Sequence, residues 1–123
     1  MKNLICEMFY KQRAQFEQEG ASRSREYPLP PDVTLHTDVF YDKKHVPAHR
    51  LDIYRPKDRD GETLPVIINV HGGGLLMGNK EFNRPFCASL CEAGYMVFSI
   101  EYRLVPDCLF YDQLADLHLA LDF

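Results

Sequence analysis

The chain has 123 residues, of which 46% are hydrophobic and 12% aromatic, so it has the size and apolar content of one modest domain and not those of a disordered tail. Its 14 basic and 18 acidic residues give a formal charge of −4. With no basic cluster longer than "YDKKH", the electrostatic footprint of a nucleic-acid binder is missing.

The N-terminal "MKNLICEMFYKQRAQFEQEG" places Glu7, Lys11 and Arg13 in its first turns and lacks the unbroken apolar core of a signal peptide. Nothing approaches the roughly 20 apolar residues that span a bilayer, so the chain reads as soluble and cytoplasmic. Leu4, Ile5, Met8, Phe9 and Phe16 recur at helical spacing ahead of Gly20, which predicts an amphipathic helix over residues 3–19 stopped by that glycine. "ASRSREYPLPPD" follows as a connector rich in proline.

Val33, Leu35, Val39 and Tyr41 alternate with polar neighbours in "VTLHTDVFY", and "HRLDIYRP" repeats the alternation with Leu51 and Ile53. These are two half-exposed strands joined through a hairpin at "DKKHVPA". "DRDGETLP" supplies the turn residues that end the pair. From Val66 the pattern changes. "VIINV" and "MVFSI" are short, nearly continuous apolar runs, as in strands of a parallel sheet buried on both faces. Between them Phe86, Leu90 and Ala93 predict a helix ended by Gly94, which completes a strand, helix, strand crossover unit. "DCLFYDQLADLHLALDF" closes the chain with Leu114, Leu117 and Leu121 on one face of a helix.

Cys6, Cys87, Cys91 and Cys108 show no C-x-x-C spacing. Cys87 and Cys91 fall one helical turn apart and could share a metal, but no His or second Cys pair stands near to complete four ligands. They read as small buried apolar residues.

The segment that carries chemistry is "PVIINVHGGGLLMGN". His71, Gly72, Gly73 and Gly74 fall at the carboxyl end of a predicted parallel strand, where ligands of α/β sheets sit. Without Cβ, glycine can take positive φ and bring backbone N–H groups directly against a ligand atom. Two donors aimed at one point make an oxyanion hole. A phosphate cradle is the rival reading, although "HGGGLLMGNK" matches neither G-x-x-x-x-G-K-[ST] nor G-x-G-x-x-G. Simple close packing of helix on sheet is the third.

"VHGGGLLMGN" followed by "YMVFSIEYRLVPD" resembles the H-G-G-G and D-Y-R-L-A-P-E signatures of the hormone-sensitive-lipase-like branch of the α/β-hydrolases, in the right order and separation. The resemblance runs over about residues 33–123. It implies an α/β fold, the N-terminal and incomplete part of an α/β-hydrolase, with an antiparallel hairpin leading into a parallel sheet flanked by helices. Residues 1–32 would be a cap-like helix and connector, and residues 33–123 the first half of the core. The family consists of serine esterases and lipases that need no cofactor and no metal. The resemblance gives Gly73 and Gly74 the oxyanion-binding N–H groups, Gly72 the tight turn and His71 a bracing role in the loop. Glu101 and Asp107 stand where the family more often has Asp and Glu, and Tyr102 and Arg103 read as structural. Leu75, Leu76 and Met77, with Phe9, Tyr10 and Phe16, are the candidates for an apolar acyl-side wall.

The family's nucleophile sits in G-x-S-x-G, which this sequence does not contain. Ser22 and Ser24 lie in the connector, Ser89 in a helix and Ser99 in a strand. His118 reads as a helix-surface or core histidine, and His36, His45 and His49 as members of an exposed hairpin. The expectation is therefore the N-terminal part of a carboxylesterase of small acyl esters, truncated and inactive alone because nucleophile, acid and base are missing. The alternative is a non-catalytic half-domain that docks on a complementing chain. In the family's strand order "VIINV" would be left as an open edge, which invites self-association or a complementing partner.

Overall fold

The computed structural model describes residues 2–123. The N-terminal helix α1 (Lys2–Phe16) does not stop at Gly20. It passes through a wider π-helical turn, Glu17–Ala21, into the single-turn helix α2 (Ser22–Arg25). A Cβ at Gly20 would sit in ordinary van der Waals contact with the ring of Phe82, at 3.6 Å, and Phe82 packs at a tilt on Phe16 with centroids 4.9 Å apart. The glycine lies within the helical run and caps nothing, and no contact requires its missing Cβ. The apolar stripe expected of α1 is mostly uncovered, with Leu4, Ile5 and Met8 exposed.

Polar contacts fasten this N-terminal segment instead. Ser24 donates to the Phe82 carbonyl at 2.9 Å, Arg84 to the Arg25 carbonyl at 2.7 Å, and Tyr10 to the Asp107 carboxylate.

The strands are β1 (Val33–Phe40), β2 (Arg50–Pro56), β3 (Val66–Val70) and β4 (Met96–Ile100), in the spatial order β1-β2-β4-β3. β1 pairs antiparallel with β2, β2 antiparallel with β4, and β3 parallel with β4. The hairpin carries an irregularity between His36 and Val39, where Asp38 takes a φ of +57° and the register slips. Helix α3 (Arg84–Glu92) joins β3 to β4, with Pro85 in its first turn and its end before Gly94, whose φ of +102° suits a helix stop. Helix α4 (Phe110–Leu121) follows β4, and Asp112 in its first turn accepts the Leu109 N–H at 2.7 Å.

Strand alternation sends side chains to two faces. On one, Tyr54, Val97 and Val33 pack with Cys87 and Cys91 of α3. On the other, Leu51, Ile100 and Tyr41 pack with Ala120 and Leu117 of α4. Burying each Leu- or Ile-sized side chain contributes about 1.5–3 kcal/mol, so these two clusters hold the sheet between its helices. Cys87, Cys91 and Cys108 are buried, as expected of small apolar residues, whereas Cys6 is partly exposed.

β4 is covered on both faces, but β3 is not. Val66, Ile68 and Val70 are exposed, because Ile67 and Asn69 take the α3 side and α4 lies over β2 and β4. Burial of β3 on both faces, expected from its unbroken apolar run, is corrected here. Its place at the edge of the sheet agrees with the expected strand order. Among the described residues no helix is long and apolar enough to cross a membrane.

Candidate active site

β3 delivers the chain at Val70 into a loop of residues 71–79. His71 is buried, its ring stacked on Tyr102 with centroids 4.4 Å apart and planes 15° from parallel. The Tyr102 hydroxyl donates to the His71 carbonyl at 2.7 Å, and His71 Nδ1 lies 2.9 Å from the Gly72 carbonyl. His71 Nε2 is 3.3 Å from Glu101 Oε1 but is not aligned for a hydrogen bond. The end of β3 is thus tied to the end of β4 by both a stack and a hydrogen bond.

The loop beyond it is bare backbone folded tightly. Leu76 and Met77 N–H both reach the Gly73 carbonyl at 3.2 Å. Gly73 has a φ of +136°, and a Cβ there would lie 2.0 Å from the Met77 carbonyl oxygen, so no other residue fits. Gly74, with a φ of +62°, has open space where a Cβ would stand. Among the described residues neither the Gly73 nor the Gly74 N–H has a protein acceptor. Gly74 is exposed and Gly73 half-buried.

Three other elements clasp this loop. The Leu75 carbonyl accepts the Val105 N–H at 3.0 Å and Gln113 Nε2 of α4 at 3.1 Å. The Leu76 carbonyl accepts Arg13 Nε of α1 at 2.8 Å. Lys80 follows the loop directly. It is buried, with Nζ at 2.7 Å from Glu81, 2.9 Å from Asp52 and 3.0 Å from Asp38. Burial works against its charge, but bonds to Glu81 and Asp52 outweigh that and raise its pKa. Ser99 donates to the Lys80 carbonyl at 2.7 Å and itself accepts from Asn69 at 2.9 Å.

A second buried polar cluster lies where the hairpin meets α4. His49 Nδ1 is 2.9 Å from Asp42, and Nε2 is 2.8 Å from Asp116. Asp116 also takes the Arg103 guanidinium at 2.7 Å and the Arg103 N–H at 3.0 Å. Burial opposes ionisation of Asp116, yet the bonds from Arg103 and His49 hold its carboxyl below the usual range. His49 is therefore not the exposed hairpin residue that local polarity predicted. Its partner in α4 is 67 positions away, so nothing local marks it as buried.

The four serines are all occupied with backbone. Ser22 bonds the Gln18 carbonyl, Ser24 that of Phe82, Ser89 that of Pro85 and Ser99 that of Lys80. None stands on a strand-to-helix elbow. His118 projects into solvent from α4, near Asp122.

A cavity of about 660 Å³ lies between α1, the β1–β2 hairpin and the segment after β4, lined among others by Tyr10, Arg13, Arg50, Gly78, Asn79 and Glu101. Of the residues considered for an acyl-side wall, Tyr10 lines it. Leu75, Leu76, Met77, Phe9 and Phe16 do not, and neither do Gly73 and Gly74. Leu75 instead stands exposed at the loop surface.

A mixed sheet flanked by helices, with a histidine and three glycines at the mouth of a parallel strand, defines an α/β-hydrolase scaffold. The BD-FAE family model matches residues 51–123, and the chain belongs to that family. In structure it is similar to esterase B from Lactobacillus rhamnosis, solved with a tributyrin phosphonate inhibitor, with a TM-score of 0.87 and 30% identity over 98% of this chain and 39% of that one. In sequence it is 35% identical over 77 residues to the probable isoprenylcysteine alpha-carbonyl methylesterase ICMEL1 of Oryza sativa subsp. japonica, covering 63% of this chain and 18% of that protein. It is also 35% identical over 87 residues to the non-reducing polyketide synthase prhL of Penicillium brasilianum, covering 68% of this chain and 4% of that protein. The chain thus spans well under half the length of each of these relatives. The hormone-sensitive-lipase-like resemblance read from the two motifs is borne out by the esterases among them.

Proposed function

We propose that these 123 residues form the oxyanion-binding side of a serine carboxylesterase site for short acyl esters. The observation that carries the reading is the pair of N–H groups on Gly73 and Gly74, free of protein acceptors in a loop whose Leu75 and Leu76 carbonyls are bonded from outside it. A free N–H pair held on a rigid backbone is what stabilises a developing oxyanion. Each donor of this kind contributes roughly 2.7–4 kcal/mol to the transition state. His71 and Gly72 support the loop, the former through Tyr102, the latter as the ring's hydrogen-bond partner.

The short-acyl preference draws on the tributyrin phosphonate bound by esterase B. Leu75, Leu76 and Met77 are assigned to the acyl side because they follow the oxyanion donors directly. Residues 1–32 act as a cap, joined to the loop by Arg13 and lining the adjacent cavity through Tyr10. The chemistry itself is serine attack, acyl-enzyme formation and hydrolysis. These residues supply no nucleophile, acid or base for it, so the chain alone turns over no ester.

A second reading, a non-catalytic half-domain that docks on a complementing chain, rests on the uncovered edge strand β3. One experiment separates the two. The chain is co-refolded with the portion of esterase B that it does not match, and hydrolysis of p-nitrophenyl butyrate is followed. Turnover above that of either piece supports the esterase site. A stable complex without turnover supports docking alone.

A further inference from the structure

We propose that Arg13 is a positioning residue for the glycine loop: its guanidinium, reaching from α1, sets the backbone geometry in which the Gly73 and Gly74 N–H groups stand. The proposal rests on the reading of that loop as an oxyanion hole.

One planar group makes three bonds to two loops. Nε donates to the Leu76 carbonyl at 2.8 Å, Nη2 to the Val105 carbonyl at 2.8 Å, and Nη1 to Asp107 Oδ2 at 2.9 Å. Leu76 lies two residues past Gly74, and Val105 already bonds the Leu75 carbonyl through its N–H. Arg13 therefore locks the glycine loop and the segment after β4 together at one point. Its side chain is only 24% exposed, and the Tyr10 ring lies 5.3 Å from the guanidinium carbon. Tyr10 and Arg13 both bond Asp107 and keep its carboxyl below the ordinary range, so the anchor is an anion.

The loop needs such a clasp. Gly73, Gly74 and Leu75 have successive φ values of +136°, +62° and +68°. A leucine in the left-handed region is strained, and strained backbone persists only where its surroundings over-determine it. Leu75 is 43% exposed, so burial of its side chain does not provide the compensation. What remains is polar: the carbonyls of Leu75 and Leu76 are both bonded from outside the loop, and Arg13 supplies the bond on Leu76. Arginine's rigid fork can serve two carbonyls and a carboxylate at once, which an ammonium on a flexible stem cannot.

The test uses the full chain labelled with 15N-glycine. The sequence has seven glycines, of which Gly72, Gly73, Gly74 and Gly78 report the loop, while Gly61 and Gly94 report remote turns. Arg13→Gln is expected to shift or broaden the four loop cross-peaks and leave Gly61 and Gly94 within their line widths. Arg13→Lys is expected to move the same peaks despite its charge. Asp107→Asn, which weakens one arm only, is expected to move them less. If Arg13→Gln does not fold, the other two variants decide the matter in the same way. A native loop spectrum in Arg13→Gln or Arg13→Lys overturns the proposal, as do changes that spread equally to Gly61 and Gly94. These spectra read loop geometry whether or not any ester is hydrolysed, so failure of the esterase reading would appear in the activity assay and not here.

Discussion

Tyr102 holds His71 in two ways at once, with its ring stacked on the imidazole at 4.4 Å and its hydroxyl donating to the His71 carbonyl at 2.7 Å. The first residues after β3 and β4 are thereby one unit, and the glycine loop starts from a fixed point. Tyr102→Phe keeps the stack and orphans a buried carbonyl. It is expected to destabilise the chain by about 1–3 kcal/mol, read as a lower urea midpoint with an unchanged slope. Tyr111→Phe, at an exposed position on α4, is expected to stay within about 0.5 kcal/mol of the parent.

Gly73 and Gly74 differ in what they tolerate. Gly74→Ala meets no atom and carries only the cost of positive φ, so it should fold normally and lose about 1–2 kcal/mol. Gly73→Ala would place Cβ 2.0 Å from the Met77 carbonyl, so the turn must open. Amide hydrogen exchange should show Leu76 and Met77, which bond the Gly73 carbonyl, losing protection in Gly73→Ala and keeping it in Gly74→Ala.

Acid should weaken the fold in a defined window. Asp116, Asp38 and Glu81 have folded pKa values below their ordinary 3.8, 3.8 and 4.5: burial resists ionisation of each, but bonds from Arg103 to Asp116 and from Lys80 to the other two prevail. Groups depressed in this way stabilise the native state above their unfolded pKa and lose that contribution as pH falls through the folded value. The urea midpoint should therefore begin to fall below pH 4.5 and continue falling below pH 3.8.

Asp116→Asn should flatten that decline. At neutral pH it should cost about 1.5–3 kcal/mol, the worth of a charged hydrogen bond and not of a fully buried pair. The reason is that the Arg103 side chain is 37% exposed, and water screens the pair. Urea titrations of parent and variant at neutral and acid pH check both statements.

The cysteines should separate by reactivity. Burial pushes the Cys87 and Cys91 thiols up to about 11 and raises Cys108 as well, and all three are buried. Since the thiolate is the nucleophile, a disulfide reagent at pH 8 should label Cys6 promptly in the native chain and the other three only after unfolding.

Much of this fold is written in local pattern. The alternation at Leu51 and Ile53, the apolar runs at Val66 and Met96 and the stop at Gly94 each depend on neighbours within a few residues, and each element appears where they place it. The glycine loop was legible for the same reason: His71 to Gly74 are contiguous. Contacts over long separations were not. His49 looked exposed because its partner Asp116 belongs to another helix, and nothing near Arg13 announces that it reaches Leu76, 63 positions on. Gly20 misleads in another way: tertiary packing carries the helical run through it, so it ends nothing. The exposed face of β3 escaped prediction because an apolar run reports what a strand is suited to pack against, not what covers it.

The decisive measurement is a structure of the complemented esterase carrying a butyl phosphonate on its nucleophile. If Gly73 and Gly74 form the oxyanion hole, the phosphonyl oxygen lies within hydrogen-bond reach, about 2.7–3.1 Å, of both their nitrogens. An oxygen held by other donors, with those two N–H groups turned away from it, would rule that role out.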